Sequence, residues 1–391
     1  MKRWISLIGS CAFASLCASC VSIGAGGIEN IAAGERPASS SDEAGLWLAM
    51  DKAEQSLKRS ARVVADPVLD RYVRDIVCKL AADHCGNIRV YVVRRAGFNA
   101  SMAPNGAMQV WTGTFLRTQN EAQLAYILAH ELGHYLGRHS LKQWRDIRTK
   151  TSAFTFIRLA AAVAGAGPAM DLAAVGVHAS ILAFSREHET EADNVGLELS
   201  TDAGYDPREA PKIWKGLMEE RQAEDDSEPF AFFSSHPPSQ ERMKNLESLA
   251  QRVGQREWFV GREAMLGRVL PLRGQMLREE LRERKFGRTQ VLLARLFAQG
   301  ENIGELHYFQ GELYRLRGKE GDAKKARDAY LSAIAVKGAP PETFRELGLL
   351  YIDLGEKEKA RSALGSYIEH KPSAQDLQMI RRYLEDLGGA R

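Results

Sequence analysis

The chain has 391 residues, of which 45% are hydrophobic and 26% are charged, and its formal net charge is +3. This is the composition of a globular protein, and the length predicts two or three domains rather than one hydrophobic core. A chain so close to neutral has no basic field suited to nucleic acid, so we expect no nucleic-acid partner.

The N-terminus has the pattern of an export signal, because two basic residues precede an apolar run over residues 4–19 that is too short to span a bilayer comfortably. Small residues before Cys20 resemble a bacterial lipobox. We predict a signal peptide over residues 1–19, lipidation of Cys20 and a tether over residues 20–42. Cleavage without lipidation is the alternative. Both routes lead to the periplasm, and the residues after Cys20 favour tethering to the outer membrane.

The first half of the chain predicts two helices, then two strands, then a long helix. The elements cover residues 43–65, 67–82, 88–93, 107–112 and 118–138, and the last opens with a capping box at Thr118. Cys78 and Cys85 lie at the end of the second helix and in the turn after it. In an exported protein a disulfide between them is favoured over two buried free thiols.

The long helix carries the first motif with chemical meaning, His-Glu-x-x-His. His130 and His134 are four residues apart, so both imidazoles lie on one helix face and can share a metal ion. Glu131 lies about 100° around the helix, where it can act on water without binding the metal. The alternative is a core helix with two hydrogen-bonded histidines.

A second helix, predicted over residues 186–202, completes the metal site. Glu189 can supply the third ligand that a catalytic zinc needs, and Asp193, four residues later, can orient a ligand histidine. The Ala- and Gly-rich segment over residues 153–184 separates the two motif helices. We interpret it as a buried helical hairpin rather than a membrane-touching flap.

A longer zinc motif would need a third histidine at position 140, where Ser140 stands. The neighbouring His139 is nine residues from His130, about 180° away on a continuing helix. We therefore interpret His139 as a packing or surface residue. Glu191 and His188 are interpreted as solvent-facing or helix-stabilising residues.

The C-terminal part of the sequence contains a repeated pattern of residues. Small and large residues recur between residues 341 and 372 at the spacing of a tetratricopeptide repeat, and an upstream copy is offset by the 37 residues between Gly311 and Gly348. We predict a tetratricopeptide-repeat domain over residues 256–391, whose concave surface binds a protein partner. Generic helical hairpins are the alternative.

With these motifs in view, residues 43–250 resemble the HtpX- and BepA-like zinc metallopeptidases, which pair HExxH with ExxxD on a later helix. The similarity extends to Gly196 and to the Ala-Gly-Tyr-Asp-Pro run that starts at Ala203. It implies one zinc ion per chain. It also implies an α+β, predominantly helical zincin-type domain with a small sheet, over residues 43–255.

The resemblance also implies roles for a loop and a strand. His236, before two prolines, matches a family histidine that caps the zinc reversibly or stabilises the oxyanion; a loop histidine without a role is the alternative. The resemblance also implies that the strand predicted over residues 107–112 is the family's substrate-binding edge strand. The expected backbone contacts come from Met108, Gln109, Val110 and Trp111. These residues could equally form an ordinary sheet strand.

Taken together, the resemblance implies a zinc endopeptidase that acts on unfolded or misassembled cell-envelope proteins, including outer-membrane proteins. The second hypothesis is a chaperone or binding protein with a capped, latent site, which the repeat tail favours. A structural zinc site is disfavoured, because such sites are closed, usually rich in cysteine, and have no use for Glu131.

Overall fold

The computed structural model describes residues 32–41, 43–150, 183–224, 230–254 and 256–388. The predicted signal peptide, the lipidated Cys20, most of the tether and nearly all of the predicted hairpin over residues 153–184 lie outside the described residues. Among the helices of the described part, none is both long enough and apolar enough to cross a membrane.

The protein is mostly helical with one small sheet, as predicted. Its first part contains α1 (Glu43–Lys58), α2 (Pro67–Ala81), β1 (Arg89–Val93), β2 (Ala100–Met102), β3 (Ala107–Trp111), α3 (Thr112–Arg117), α4 (Glu121–Leu136), α5 (His139–Lys150), α6 (Arg186–Asp202), α7 (Ala210–Gln222), α8 (Ala231–Ser235) and α9 (Gln240–Arg252). Its tail contains α10 (Arg262–Arg282), α11 (Phe286–Gln299), α12 (Ile303–Arg317), α13 (Asp322–Ile334), α14 (Glu342–Asp353), α15 (Lys357–His370) and α16 (Leu377–Asp386).

The sheet has the order β1-β3-β2, with β1 parallel and β2 antiparallel to β3. The prediction that Met108, Gln109, Val110 and Trp111 form an edge strand is therefore wrong, because both sides of β3 are paired. The strand that covers its second side, Ala100–Met102, is too short to give an alternating pattern in the sequence. The outer strand beside the active-site helix is β2.

Helix α4 is the centre of the first part and is buried on all sides, with Leu124, Ile127, Leu128 and Leu132 fully enclosed. It begins after Asn120, whose side chain accepts a hydrogen bond from the backbone N–H of Gln123. The capping box predicted at Thr118 is wrong by two residues, because Thr118 follows the last residue of α3 and its hydroxyl donates to the carbonyl of Thr114 within that helix.

Two glycines allow α4 and α6 to cross in close contact. A Cβ atom at Gly133 would lie 2.9 Å from the Ala192 carbonyl oxygen, and one at Gly196 would lie 2.8 Å from the His130 nitrogen. Only glycine permits backbones to approach this closely. The crossing places the ExxxD motif of α6 in direct contact with the HExxH motif of α4.

Cys78 and Cys85 form a disulfide in the structure, with their Cα atoms 4.7 Å apart. It joins the end of α2 to the 3-10 turn Ala82–Asn87, which leads into β1. The bond therefore fixes the turn between the second helix and the sheet.

The tail is a stack of antiparallel helices whose core is continuous with that of the first part. Gly311 of α12 lies against Tyr330 of α13, and Gly348 of α14 lies against Leu364 of α15. Helix α16 covers the end of the stack with Ile380. These contacts occupy corresponding places in successive helix pairs, and the tetratricopeptide assignment stays a prediction.

A buried charge cluster joins the two parts. Arg117 of α3 contacts Glu220 of α7 at 2.8 Å and Glu280 of α10 at 2.7 Å, and all three side chains are fully buried. Arg288 and Arg295 of α11 contact the same two carboxylates. Charges buried this deeply are tolerated only when they are fully paired, and here the partners come from both the first part and the tail.

Candidate active site

Four buried side chains converge between α4, α6 and the loop after α8. His130 Nε2 lies 3.1 Å from His134 Nε2 and 3.2 Å from His236 Nδ1. Glu189 Oε1 lies 3.4 Å from His134 Nε2 and 3.0 Å from His236 Nδ1. The structure thus brings together the three predicted ligands and the predicted loop histidine.

These separations fit a single zinc ion. Ligand atoms about 2.1 Å from a tetrahedral zinc lie about 3.4 Å from one another. The separations in the cluster are 3.0, 3.1, 3.2 and 3.4 Å. The donors are three imidazole nitrogens and one carboxylate oxygen, within 4.8 Å of one another. Two imidazole nitrogens held 3.1 Å apart in a buried site are the arrangement a shared cation would require.

The protonation of the ligands favours a metal. Burial holds the pKa of His134 well below its usual range, so its imidazole is neutral, as metal binding requires. Burial opposes ionisation of Glu189, but the charge of His236 and hydrogen bonds from His134 and His236 outweigh it and hold its pKa well below normal. Glu189 is therefore an anion.

Glu131 lies beside the four ligand residues and is not one of them. Its Oε1 atom is 3.5 Å from His236 Nε2, and the backbone of Met102 on β2 hydrogen-bonds to its carboxylate. Burial raises the pKa of Glu131, partly offset by His236 and His130. A carboxylate with a raised pKa, next to a metal-ligand cluster, is suited to accept a proton.

Asp193 lies behind His130, as predicted for a residue that orients a ligand. Its Oδ1 atom is 3.1 Å from His130 Nδ1 and accepts a hydrogen bond from the Tyr126 hydroxyl at 3.0 Å. Burial opposes ionisation of Asp193, but Arg242 outweighs it and lowers the pKa.

Arg242 is a site residue that the sequence reasoning missed. It donates to both oxygens of Asp193 at 2.7 and 2.9 Å, lies 2.6 Å from Glu189 Oε2, and donates to the Pro237 carbonyl at 2.9 Å. It therefore connects the ExxxD helix to the loop that carries His236. The sequence places Arg242 only six residues after His236, in the first turn of α9. That position does not reveal the direction in which its side chain points.

The prediction that His139 lies about 180° from His130 on a continuing helix is wrong. Helix α4 ends at Leu136, and Arg138 adopts a left-handed backbone with φ of 56°. This turn brings His139 back, fully buried, to within 2.9 Å of His134, measured between the two Nδ1 atoms. His188 stacks on the His139 ring, with ring centroids 4.3 Å apart.

An HExxH helix crossed by an ExxxD helix, with a buried His/His/Glu cluster fitted to zinc, defines a metallopeptidase-type domain. Residues 65–250 match the sequence model of the family described as Peptidase family M48. The predicted resemblance to BepA-like zinc metallopeptidases is thereby confirmed.

Relatives are similar over about half of the chain. The beta-barrel assembly-enhancing protease of Escherichia coli (strain K12) is 24% identical over 210 residues, 51% of this chain and 42% of its own length. A putative beta-barrel assembly-enhancing protease of Vibrio cholerae is 26% identical over 212 residues, 52% of this chain and 43% of its own length. The mitochondrial metalloendopeptidase OMA1 of Schizosaccharomyces pombe is 32% identical over 164 residues, 40% of this chain and 45% of its own length. The chain thus spans less than half the length of these relatives.

Proposed function

We propose that the chain is a zinc-dependent endopeptidase. The observation that carries the proposal is the convergence of ligand atoms from His130, His134, Glu189 and His236 within 4.8 Å of one another, with Glu131 directly beside them. Zinc, when bound, supplies Lewis-acid activation of water and of the scissile carbonyl. Glu131 accepts the proton of the attacking water and passes it to the leaving amine.

The outer edge of β2 is the proposed place for the substrate backbone. Hydrogen bonds from Trp111 to Asn99 and from Ala103 to Ala107 flank the strand. In an antiparallel pair hydrogen-bonded residues alternate, so the peptide groups of Ala100 and Met102 face away from β3. The Met102 N–H already donates to Glu131, so an extended peptide added there would be held through Ala100 and the Met102 carbonyl, beside Glu131. Main-chain contacts of this kind allow broad side-chain tolerance.

His236 is proposed as a reversible fourth ligand. Its Nδ1 atom lies 3.2 Å from His130 Nε2 and 3.0 Å from Glu189 Oε1, in the position that a catalytic zinc keeps for water. Pro237 and Pro238 restrict the loop that carries it. The resting enzyme would then be latent until this loop moves.

The proposed substrates are unfolded or misassembled envelope proteins in the periplasm, and outer-membrane proteins among them. Support comes from relatives named as beta-barrel assembly-enhancing proteases at 24 and 26% identity. The helical tail is proposed to bind a protein partner, and Cys20 to carry a lipid anchor in the outer membrane. The proposed domain boundary lies near residue 255.

The second candidate function is that of a chaperone whose protease site stays capped. It is favoured by one observation: four protein side chains offer donor atoms within 4.8 Å of one another. Four protein ligands on a four-coordinate zinc would leave no open position. The two functions are compatible, because displacement of His236 would convert one state into the other.

The experiment is zinc content together with casein cleavage, on the purified chain and on its Glu131→Gln and His236→Ala variants. We expect one zinc per chain and loss of cleavage in Glu131→Gln by about a hundred- to ten-thousandfold. Faster cleavage by His236→Ala would support latency. Zinc without cleavage in wild type and His236→Ala would favour the chaperone. A chain that binds no zinc would overturn the proposal.

A further inference from the structure

The second ring nitrogen of each helix histidine in the metal cluster faces a different group. His130 Nδ1 lies 3.1 Å from a carboxylate oxygen of Asp193. His134 Nδ1 lies 2.9 Å from another imidazole nitrogen, Nδ1 of His139. Metal-binding histidines donate this N–H to an acceptor that fixes the tautomer and the ring orientation. The acceptor for His134 is therefore an imidazole.

The hydrogen atoms of this contact can be placed by chemistry alone. The Nε2 atom of His134 points at the other ligand atoms, so its hydrogen is on Nδ1. The nitrogen it meets, His139 Nδ1, must accept, and the hydrogen of His139 is then on Nε2. Glu191 Oε2 lies 3.2 Å from that Nε2 atom. Glu191 is half-exposed and can rotate to improve this contact.

The backbone around residues 137–139 and the packing of His188 enclose the imidazole ring of His139. A Cβ atom at Gly137 would lie 2.4 Å from His139 Nε2, so the position next to the turn has room for glycine alone. Arg138 takes the left-handed backbone that returns the chain, a conformation with a steric cost for any residue other than glycine. His139 is fully buried, with His188 stacked on one face.

We propose that His139 is a positioning residue for the zinc ligand His134, and that Glu191 in turn orients His139. The two ligand histidines are thus oriented differently, His130 by an anion and His134 by a neutral imidazole backed by an anion. This inference rests on the proposed zinc site and adds to it a relay from His134 through His139 to Glu191.

The test is zinc affinity of the full chain, measured by competition with a chelator, together with the melting temperature of the metal-free protein. His139→Phe keeps a ring to stack on His188 but removes the acceptor, and His139→Gln keeps an acceptor but removes the ring. We expect about ten- to hundredfold weaker zinc binding in His139→Phe, and affinity within about fivefold of wild type in His139→Gln.

His188→Phe is the matched control, because it preserves the stack and leaves the His134–His139 contact intact. It should bind zinc like the wild type. Glu191→Gln, a change at a half-exposed position that should not hinder folding, is expected to weaken binding about threefold. This variant keeps the inference testable if His139→Phe does not fold.

Two outcomes would overturn the relay. Zinc affinity that is unchanged in His139→Phe and Glu191→Gln would make His139 a packing residue only. An equal loss of zinc affinity in His139→Phe and His139→Gln would mean that the hydrogen-bond acceptor at position 139 does not determine zinc binding. A wild-type chain that binds no zinc would instead refute the proposed function, so the two failures are distinguishable.

Discussion

Glycine occupies helix crossings in both parts of the molecule, but it does different things there. At the active site, Gly133 and Gly196 let the backbones of α4 and α6 touch, since the nearest atoms to an added Cβ are backbone atoms of Ala192 and His130. In the tail, Gly311 makes room for the ring of Tyr330. A backbone cannot move aside as a side chain can, so the site crossing is the more rigid of the two.

The difference corresponds to the work of each region. Metal ligands on two helices must be fixed within a few tenths of an ångström, and direct contact between backbones fixes the distance between them. A stack of helix pairs needs only to bury its apolar faces, and side chains between the helices can adjust. The predictions below test this contrast, starting with the joint between the two regions.

The largest expected effect on stability is at the buried charge cluster that joins the two parts. Arg117→Met leaves the buried Glu220 and Glu280 without their shared cation, and we expect a loss of about 3 kcal/mol in the free energy of unfolding. The core is continuous, so both regions should unfold together. Urea unfolding checks this, with tryptophan fluorescence for the first part and circular dichroism for the whole, because the tail from residue 262 contains no tryptophan.

Arg94→Met is the matched control for the joint. Arg94 contacts Glu279, next to Glu280 on the same helix, at 3.0 Å, but its side chain is 44% exposed. Removing an exposed pair should cost less than about 1 kcal/mol. If Arg117→Met costs no more than Arg94→Met, the cluster does not hold the two regions together.

The second-largest expected effect on stability is at the crossing of α4 and α6 in the active site. A methyl group at Gly196 meets the backbone nitrogen of His130, so Gly196→Ala should cost about 2 kcal/mol and weaken zinc binding about tenfold. Urea unfolding and chelator competition measure the two quantities. Gly45→Ala, in α1 with nothing within 4 Å of an added Cβ, is the control and should be neutral or slightly stabilising. Wild-type zinc affinity in Gly196→Ala would contradict a rigid crossing.

The sequence predicted the residues whose spacing on one helix fixes their direction. His130, His134 and Glu131 follow from helix geometry, and Glu189 and Asp193 from a second helix with the same spacing. Gly196 was predicted only as a residue of the resemblance, with no role at the crossing of the two helices. The physical reason for a glycine there, contact between backbones, needed the structure.

The misses share a different cause. His139 was misplaced because its position was reckoned on a continuing helix, whereas one left-handed residue, Arg138, turns the chain just before it. Arg242 was missed because its partners lie 49 and 53 residues away in the chain, on α6. The outer strand was misassigned because β2 has three residues, too few for a pattern. Each depends on a local turn, a short strand or a long-range contact that periodicity does not encode.

The smallest expected effect is in the tail. In Gly311→Ala the added methyl group would lie 2.3 Å from Tyr330 Cε1, so the ring must shift, although its hydroxyl contact with Glu312 restrains it. The gain in helix propensity, about 1 kcal/mol, offsets part of that cost. We expect a net loss of about 1 kcal/mol in the free energy of unfolding and no change in zinc affinity.

Gly311→Ala combined with Tyr330→Phe sharpens this comparison, because loss of the hydroxyl frees the ring from Glu312. The double variant should be less destabilised than the sum of the two single variants, since the freed ring can move aside for the methyl group. Urea unfolding of the four proteins gives the coupling. No freedom of this kind exists at Gly196, where the opposing atoms belong to the backbone of a ligand helix. Simple additivity at Gly311, or a loss of zinc binding there, would mean that the tail crossing is as rigid as the one that holds the metal site.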